Sequence, residues 1–410
     1  MGRSSATGAA PVTSSERIGE MDVLRGFALL GVLIANIVWW TAWKFSTPVE
    51  QVDVHFADPV YSQFLMGVQW LVSDKANTLF AVLFGMGFWV QMQRLEARGA
   101  DFKRLYMRRL TILLAIGVAH LFLFWPWDIL HMYAMMGFAL FALRGLSMRA
   151  MLFGGAAMAL LARPIVDWLK DLSGLSDRGF QMVFTTDATA ARHAAFIGDD
   201  YGAWVREVFN LHWYEYLSSG LIVGWLLYVL GRFLIGAWVA RQGWLQRAGD
   251  LLPHIRKLCL ICLPLGLALE GIYAAMQFDL LPQIFFVSSA IHAVGVPLLD
   301  VGYATGLILL FHSNSWGWLP RLFAPVGRMA LTNYIMQSVL YFWLLYGIAG
   351  GLSMAGRIPP PTALAIGLGF FALQTAFSHY WLKAYRYGPL EWVWRTLTYG
   401  ERPGFRLQSA

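Results

Sequence analysis

The chain has 410 residues, 58% of them hydrophobic and 13% charged, with a net charge of +7. A soluble domain carries about 25% charged residues, so this composition excludes a water-soluble globule of this size. It also argues against nucleic acid as a partner, because the basic residues lie between apolar segments and at the C-terminus, where membrane orientation places them.

In chain order, residues 1–20 are small and polar and are expected to be a disordered tail. The apolar run after Arg25 continues to Trp43 with no small-x-small cleavage site, so it reads as an uncleaved first span rather than a signal peptide. A bilayer core takes about 20 mostly apolar residues per helix, and an open chain satisfies its backbone there only as helix. Spans are expected over 23–41, 75–94, 110–126, 129–143, 150–166, 215–240, 257–277, 287–311, 324–347 and 362–382.

The apolar stretch 59–73 is laid along the outer interface. Arg94, Arg98, Lys103, Arg104, Arg108 and Arg109 must face the cytoplasm, while Glu50, Asp53 and Asp58 face outwards, so only an odd number of crossings fits between them. The later loops alternate accordingly, with the acidic stretch 167–214 outside and the basic tail inside. The predicted fold is all-α: a polytopic membrane helix bundle of about ten spans with both termini cytoplasmic. It comprises one transmembrane domain over 21–400, with outer loop 167–214, and a cytoplasmic tail 401–410. No internal repeat marks an inverted-repeat transporter.

Charges inside spans are costly and default to a functional reading. Arg232, Glu270 and Asp300 fall on consecutive spans, either as an ion pair between helices or as the lining of a polar pathway. At the outer helix ends, His120 and Asp128 flank the aromatic turn Phe124-Trp125-Pro126-Trp127, and His131 and Tyr133 follow one turn on. A carboxylate beside a histidine fixes its tautomer and stabilises its charged form, the arrangement of a general base. His55 and His292 are further outer histidines. Thr332, Asn333 and Gln337 on the ninth span, and Asn36 on the first, either hold helices together or contact a ligand. Cys259 and Cys262 share one helix face and no histidine cluster accompanies them, so no metal is expected. P-loop, G-x-S-x-G and H-E-x-x-H patterns are absent.

The segments RIGEMDVLRGFALLGVLIANI (17–37), LFGMGF (83–88), RRLTILLAIGVAH (108–120), WDILHMYAMMG (127–137), GRMALTNYIMQS (327–338) and YGPLEWVWRTLTYG (387–400) resemble, in order and over nearly the whole chain, the bacterial YeiB family of membrane proteins. Through that family the chain is similar to membrane acyltransferases of the heparan-alpha-glucosaminide N-acetyltransferase type, with Asp22, Arg25 and Gly26 matching their Asp-x-x-Arg-Gly opening. The resemblance implies a location in the bacterial inner membrane. It also implies transfer of an acyl group, acetyl in the first instance, from cytoplasmic acetyl-CoA or another acyl-CoA to a glycan or small-molecule acceptor on the far side.

On that reading Asp22, Arg25, Asn36, Arg108, Arg109 and Arg328 bind the coenzyme, His120, Asp128 and His55 are catalytic, and Tyr133, His131, Asn333 and Gln337 contact the acceptor. Those relatives carry a histidine soon after the first span, where this chain has Thr47 and Pro48, so the base falls to His120 or His55. The competing expectations are a transporter using Arg232, Glu270 and Asp300, and a non-catalytic membrane partner. The bilayer is the one partner expected throughout, and self-association is left open.

Overall fold

The computed structural model describes residues 18–42, 58–99, 101–174, 185–218 and 220–407. His55 and most of the predicted N-terminal tail lie outside these residues. Among the described residues there is no strand, and Tyr385 and Arg406 form an isolated bridge. The helices are α1 (Gly19–Ala42), α2 (Pro59–Leu71), α3 (Lys75–Ala97), α4 (Phe102–Leu123), α5 (Leu130–Ala142) and α6 (Met148–Ser173). Then come α7 (Thr186–Ile197), α8 (Tyr201–Leu211) with a π-helical turn His212–Ser218, α9 (Leu221–Arg241), α10 (Leu252–Gln277) and α11 (Phe285–Phe311). The chain closes with α12 (Trp318–Arg321), α13 (Ala324–Arg328), α14 (Ala330–Leu345), α15 (Pro360–Ala384) and α16 (Pro389–Tyr399).

Among the described residues, six stretches are long and apolar enough to cross a membrane: Gly19–Trp39, Phe102–Leu123, Ile222–Arg241, Ala248–Gln277, Phe286–Phe311 and Pro360–Ala384. Leu130–Ala142 and Met148–Ala162 are shorter apolar helices. The chain is a multi-pass helical membrane protein.

The predicted spans fall on helices, with several differences of detail. The segment 110–126 stops being helical after Leu123. The segment 215–240 is broken at Gly220, whose left-handed φ of 73° separates the π turn from α9. The segment 324–347 is broken at Met329, whose ψ of 38° is not helical, so α13 and α14 meet at a kink. The acidic stretch 167–214 is not a plain loop. α6 runs on to Ser173, and α7 and α8 fill its later part, each opened by a side-chain cap, Thr185 to the Ala188 amide and Asp200 to the Gly202 and Ala203 amides.

The centre of the bundle is α1 with α3, and the rim is α10 and α15. Sixty-one per cent of the α1 span is buried against 22% for α10, so α1 is an interior helix and α10 faces outward. Leu29, Leu33 and Ile37, spaced by four, form the buried stripe of α1. Leu260, Phe286 and Leu373 are exposed although apolar, as on a surface that meets lipid tails. With lipid as solvent, packing rather than water exclusion drives helix association, and small residues at crossings matter most. A Cβ at Gly85 would overlap the Phe233 carbonyl and one at Gly236 the Val82 carbonyl, so these two glycines set how closely α3 and α9 cross. α10 and α11 pair along their lengths and also contact α2 and α3, and α16 lies across α4 and α14.

Candidate functional site

The turn between α4 and α5 builds the first polar group. Carbonyl closure at the end of α4 (Phe124 and Trp125 amides to the His120 carbonyl, 2.9 and 3.0 Å) stops the helix. Trp125, fully buried against Tyr341 and Trp127, anchors the turn. That brings Asp128 back to His120: His120 Nδ1 lies 2.7 Å from Asp128 Oδ1. The other oxygen, Oδ2, accepts from the His131 backbone amide at 2.9 Å and faces His131 Nδ1 at 2.8 Å. One carboxylate therefore caps α5 and orients two imidazoles. Burial pushes the Asp128 carboxyl up, but the hydrogen bonds from His120 and His131 outweigh it and hold it below the usual carboxylate range. Gly117 makes the arrangement possible, because a Cβ there would overlap the His131 backbone nitrogen.

With Nδ1 engaged by the carboxylate, His120 Nε2 is left as the basic nitrogen. It is buried and has no hydrogen-bond partner among the described residues. The Tyr334 ring stands 5.3 Å from the His120 ring.

Tyr334 is also a wall of a cavity of about 310 Å³. At the end of the bundle where α1 and α4 begin, the cavity is ringed by Arg25, Arg94, Arg98, Arg109, Arg328 and Arg395, with Asp22 and Glu391 as the acids. At the other end it reaches Ile129, Leu130, Tyr133 and Tyr334, beside the His120 group. Arg109 and His120 are eleven residues apart on α4, about 16 Å along the axis. The cationic rim is preorganised. Arg109 hydrogen-bonds Gln91, its guanidinium lies 4.2 Å from the centre of the Trp394 ring, and Trp394 Nε1 donates to the Arg109 carbonyl at 3.1 Å. Arg25 Nη1 reaches Asp22 Oδ1 at 3.4 Å. The Tyr106 hydroxyl on this lining is buried with no partner among the described residues.

The Asp22-x-x-Arg25-Gly26 opening has a structural basis. A Cβ at Gly26 would overlap the Phe323 carbonyl, and one at Gly327 the Asp22 carbonyl, so α1 and α13 touch backbone to backbone and set Arg25 and Arg328 on one rim. Glu391 of α16 completes the floor. Its Oε1 accepts from the Leu331 and Thr332 amides (2.7 and 3.0 Å) and its Oε2 from the Thr332 hydroxyl (2.6 Å), so α16 caps the N-terminus of α14 from outside the helix.

Of the sequence-predicted residues, the structure brings His120, Asp128 and His131 together, and it lines the cavity with Asp22, Arg25, Arg109, Arg328 and Tyr133. Tyr133 donates its hydroxyl to the Asn77 carbonyl at 3.1 Å. Arg108 is exposed beside Gly400 and does not line the cavity. Asn36 lies on α1 and is not in the lining either. Asn333 and Gln337 point into helix contacts: Asn333 donates to Ser378 Oγ, and Gln337 to Gln374 and the Leu29 carbonyl. Gln91, Arg94, Tyr106, Tyr334 and Trp394 are lining residues that the sequence reading missed. Arg94 was legible as a loop charge, but the aromatic residues carry no pattern that separates them from core.

A second polar group lies between α3, α9, α10 and α11. Glu270, fully buried, pairs with Lys75 at the start of α3 rather than with Arg232. Lys75 also donates to the Gln69 carbonyl at 2.8 Å. Arg232 donates to Thr78 Oγ1 at 3.0 Å and its guanidinium packs over the Tyr228 ring.

Comparison with known proteins places the chain. It is 30% identical over 407 residues to the uncharacterized protein YxaH of Bacillus subtilis, a match covering 95% of this chain and 96% of that one. It is 31% identical over 408 residues to the uncharacterized protein YeiB of Escherichia coli, covering 93% and 96%. The chain belongs to the YeiB family. A family model described as "Protein of unknown function (DUF418)" matches residues 239–401. In this YeiB-family chain that region supplies Arg328, Tyr334 and α16 to the cavity and Glu270 to the second group, while His120 and Asp128 lie before it.

Proposed function

We propose that this YeiB-family protein is a membrane acyltransferase. It takes an acyl group, acetyl in the first instance, from cytoplasmic acyl-CoA and passes it to a hydroxyl or amine of a periplasmic or cell-surface acceptor. The proposed topology is ten spans in the bacterial inner membrane with both termini cytoplasmic. The observation that carries the reading is the single cavity joining six arginines to the foot of the buried His120–Asp128 pair. Guanidinium groups bind phosphate oxygens in a forked geometry, so the rim suits the coenzyme's phosphates. The apolar remainder suits its uncharged arm, and about 310 Å³ lies at the lower end of ligand-site volumes.

In this scheme the acceptor's oxygen or nitrogen attacks the thioester carbon while His120 Nε2 takes its proton. The carbon–sulfur bond then breaks, and the imidazolium returns the proton to the departing thiolate. Asp128 holds the ring and stabilises the imidazolium. Tyr334 is the partition that must turn aside for the thioester to meet Nε2.

The test is calorimetric binding of acetyl-CoA to the detergent-purified protein. Binding that survives His120→Ala and weakens at least tenfold in Arg109→Ala and Arg25→Ala supports the reading. A folded protein that binds no acyl-CoA sinks it. A second reading, transport, is favoured by the buried Lys75–Glu270 pair. It predicts that Glu270→Gln abolishes substrate flux while His120→Ala leaves it intact.

A further inference from the structure

The second polar group is separate from the cavity, and its composition is unusual for a structural ion pair. Starting from the surface, His292 lies between two carboxylates, with Nδ1 3.2 Å from Glu270 and Nε2 3.4 Å from Asp74. A neutral imidazole has one donor and one acceptor nitrogen, so carboxylates on both sides match the doubly protonated ring. Its face is stacked on Tyr273 with ring centres 4.1 Å apart. Asp74 holds a left-handed backbone, φ 67°, which a non-glycine residue adopts only at a cost. That conformation ends the α2–α3 connection, and the Asp74 side chain stays 28% exposed at the entrance. Further in, Glu270 is shared between His292 and Lys75. Asp300 on α11 is also buried, 6% exposed, with neither carboxylate oxygen hydrogen-bonded among the described residues.

The charged neighbours of Asp300 are Arg232 on α9, Lys75 and Asp74 at the start of α3, and Glu270 on α10. The titratable phenols around the group are Tyr228 on α9, Tyr273 on α10, Tyr303 on α11 and Tyr133 on α5.

The charge count is decisive. Three carboxylates (Asp74, Glu270, Asp300) face two permanent cations (Lys75, Arg232), so one added proton makes the group neutral. Two positions call for that proton. His292 does so because both its nitrogens face carboxylates, and Asp300 because an ionised carboxylate buried without a hydrogen bond is strongly disfavoured. Protonating both would leave an uncompensated positive charge.

We propose that Asp74, Lys75, Glu270, His292, Arg232 and Asp300 form a proton-binding site in which one proton exchanges between His292 at the surface and Asp300 in the interior. Inward transfer breaks an N–H bond of the imidazolium and makes an O–H bond on Asp300. The net charge on the chain is unchanged, but the positive charge leaves the surface and a negative charge leaves the interior. The ligand is the proton itself, delivered from water at the Asp74–His292 end. The site stands whether or not the cavity handles acyl-CoA.

The experiment is pH-dependent infrared difference spectroscopy of the full-length protein in lipid nanodiscs, alongside Asp300→Asn, His292→Gln and His120→Ala. The expected result is a protonated-carboxyl band that is lost in Asp300→Asn and unchanged in His120→Ala. In His292→Gln its midpoint should move by about one pH unit or more, the coupling that defines interacting sites. No such band in the native protein, or a band untouched by Asp300→Asn, overturns the proposal. A midpoint unmoved in His292→Gln also overturns it, because the two positions would then not share a proton. Asn is the neutral isostere of Asp300 and is expected to fold. Should it not, loss of the midpoint shift in His292→Gln alone still decides.

Discussion

Gly117→Ala tests whether the α4–α5 contact holds the histidine group in place. The new Cβ would overlap the His131 nitrogen and lie 2.9 Å from both the His131 Cα and the Leu130 carbonyl carbon. None of these is the flexible tip of a side chain, so the helices must part. Overpacking of this kind costs about 1–3 kcal/mol, set against a helix-propensity gain of about 1 kcal/mol for Ala over Gly. Gly154→Ala on α6 is the control, since a Cβ there meets nothing within 4 Å and only the propensity gain remains. The difference between the two variants isolates the overlap term and should be about 1–3 kcal/mol in favour of Gly154→Ala. The assay is thermal or denaturant unfolding in one detergent for both. Parting α4 from α5 also lengthens the 2.7 Å His120–Asp128 contact, so acyl transfer should fall further than stability does. Equal stabilisation by the two alanines would refute the packing argument.

Lys75→Met should destabilise the protein by about 3–5 kcal/mol, because it takes the Lys75 ammonium away from a buried carboxylate, and Glu270→Gln added to it should restore most of the loss; unfolding of the native protein and the two variants reads this out. His212, in the π turn, is held down to about 4 by burial, with its hydrogen bond to the Val208 carbonyl opposing. Its folded pKa lies below its unfolded value near 6.5, so the unfolded chain binds the extra proton. Stability is then complete well above pH 6.5 and is lower by about 3 kcal/mol at pH 4, a slope that His212→Gln should flatten. Glu391→Ala removes the cap of α14 and should cost about 1–2 kcal/mol, whereas Glu391→Gln keeps an oxygen for the Leu331 and Thr332 amides and should cost less. Tyr334→Ala should open the partition beside His120 and raise the access of small amines to it, measured as faster modification of His120 by a histidine-selective reagent.

The histidine group was legible because its members are local. His120, Asp128 and His131 sit within twelve residues around an aromatic turn with a proline, and any tight hairpin brings them together. The arginine rim was half legible. Arg25, Arg109 and Arg328 stood out as charges at helix ends, but charge bias gave Arg108 the same weight as Arg109. Only the rotation of α4 about its axis, fixed by Trp394 on Arg109, turns one inward and leaves the other beside Gly400. Asn333 and Gln337 illustrate the reverse case. Four residues apart on one face, they were candidates for a ligand, and the neighbouring α15 supplies Ser378 and Gln374 to occupy them.

What the sequence determined by itself was the class and where the apolar helices fall: hydrophobic length and charge bias are properties of single segments, readable without knowing their neighbours. What only the tertiary structure decided was partnership. Glu270 pairs with Lys75, a residue 195 positions away that looked like an ordinary span end, and Asp300 is left without a hydrogen bond among the described residues. The reason is geometric. A helix fixes which residues share a face, but which face meets which is set by backbone approaches such as Gly85 on Phe233 and Gly26 on Phe323, and those depend on the whole bundle at once.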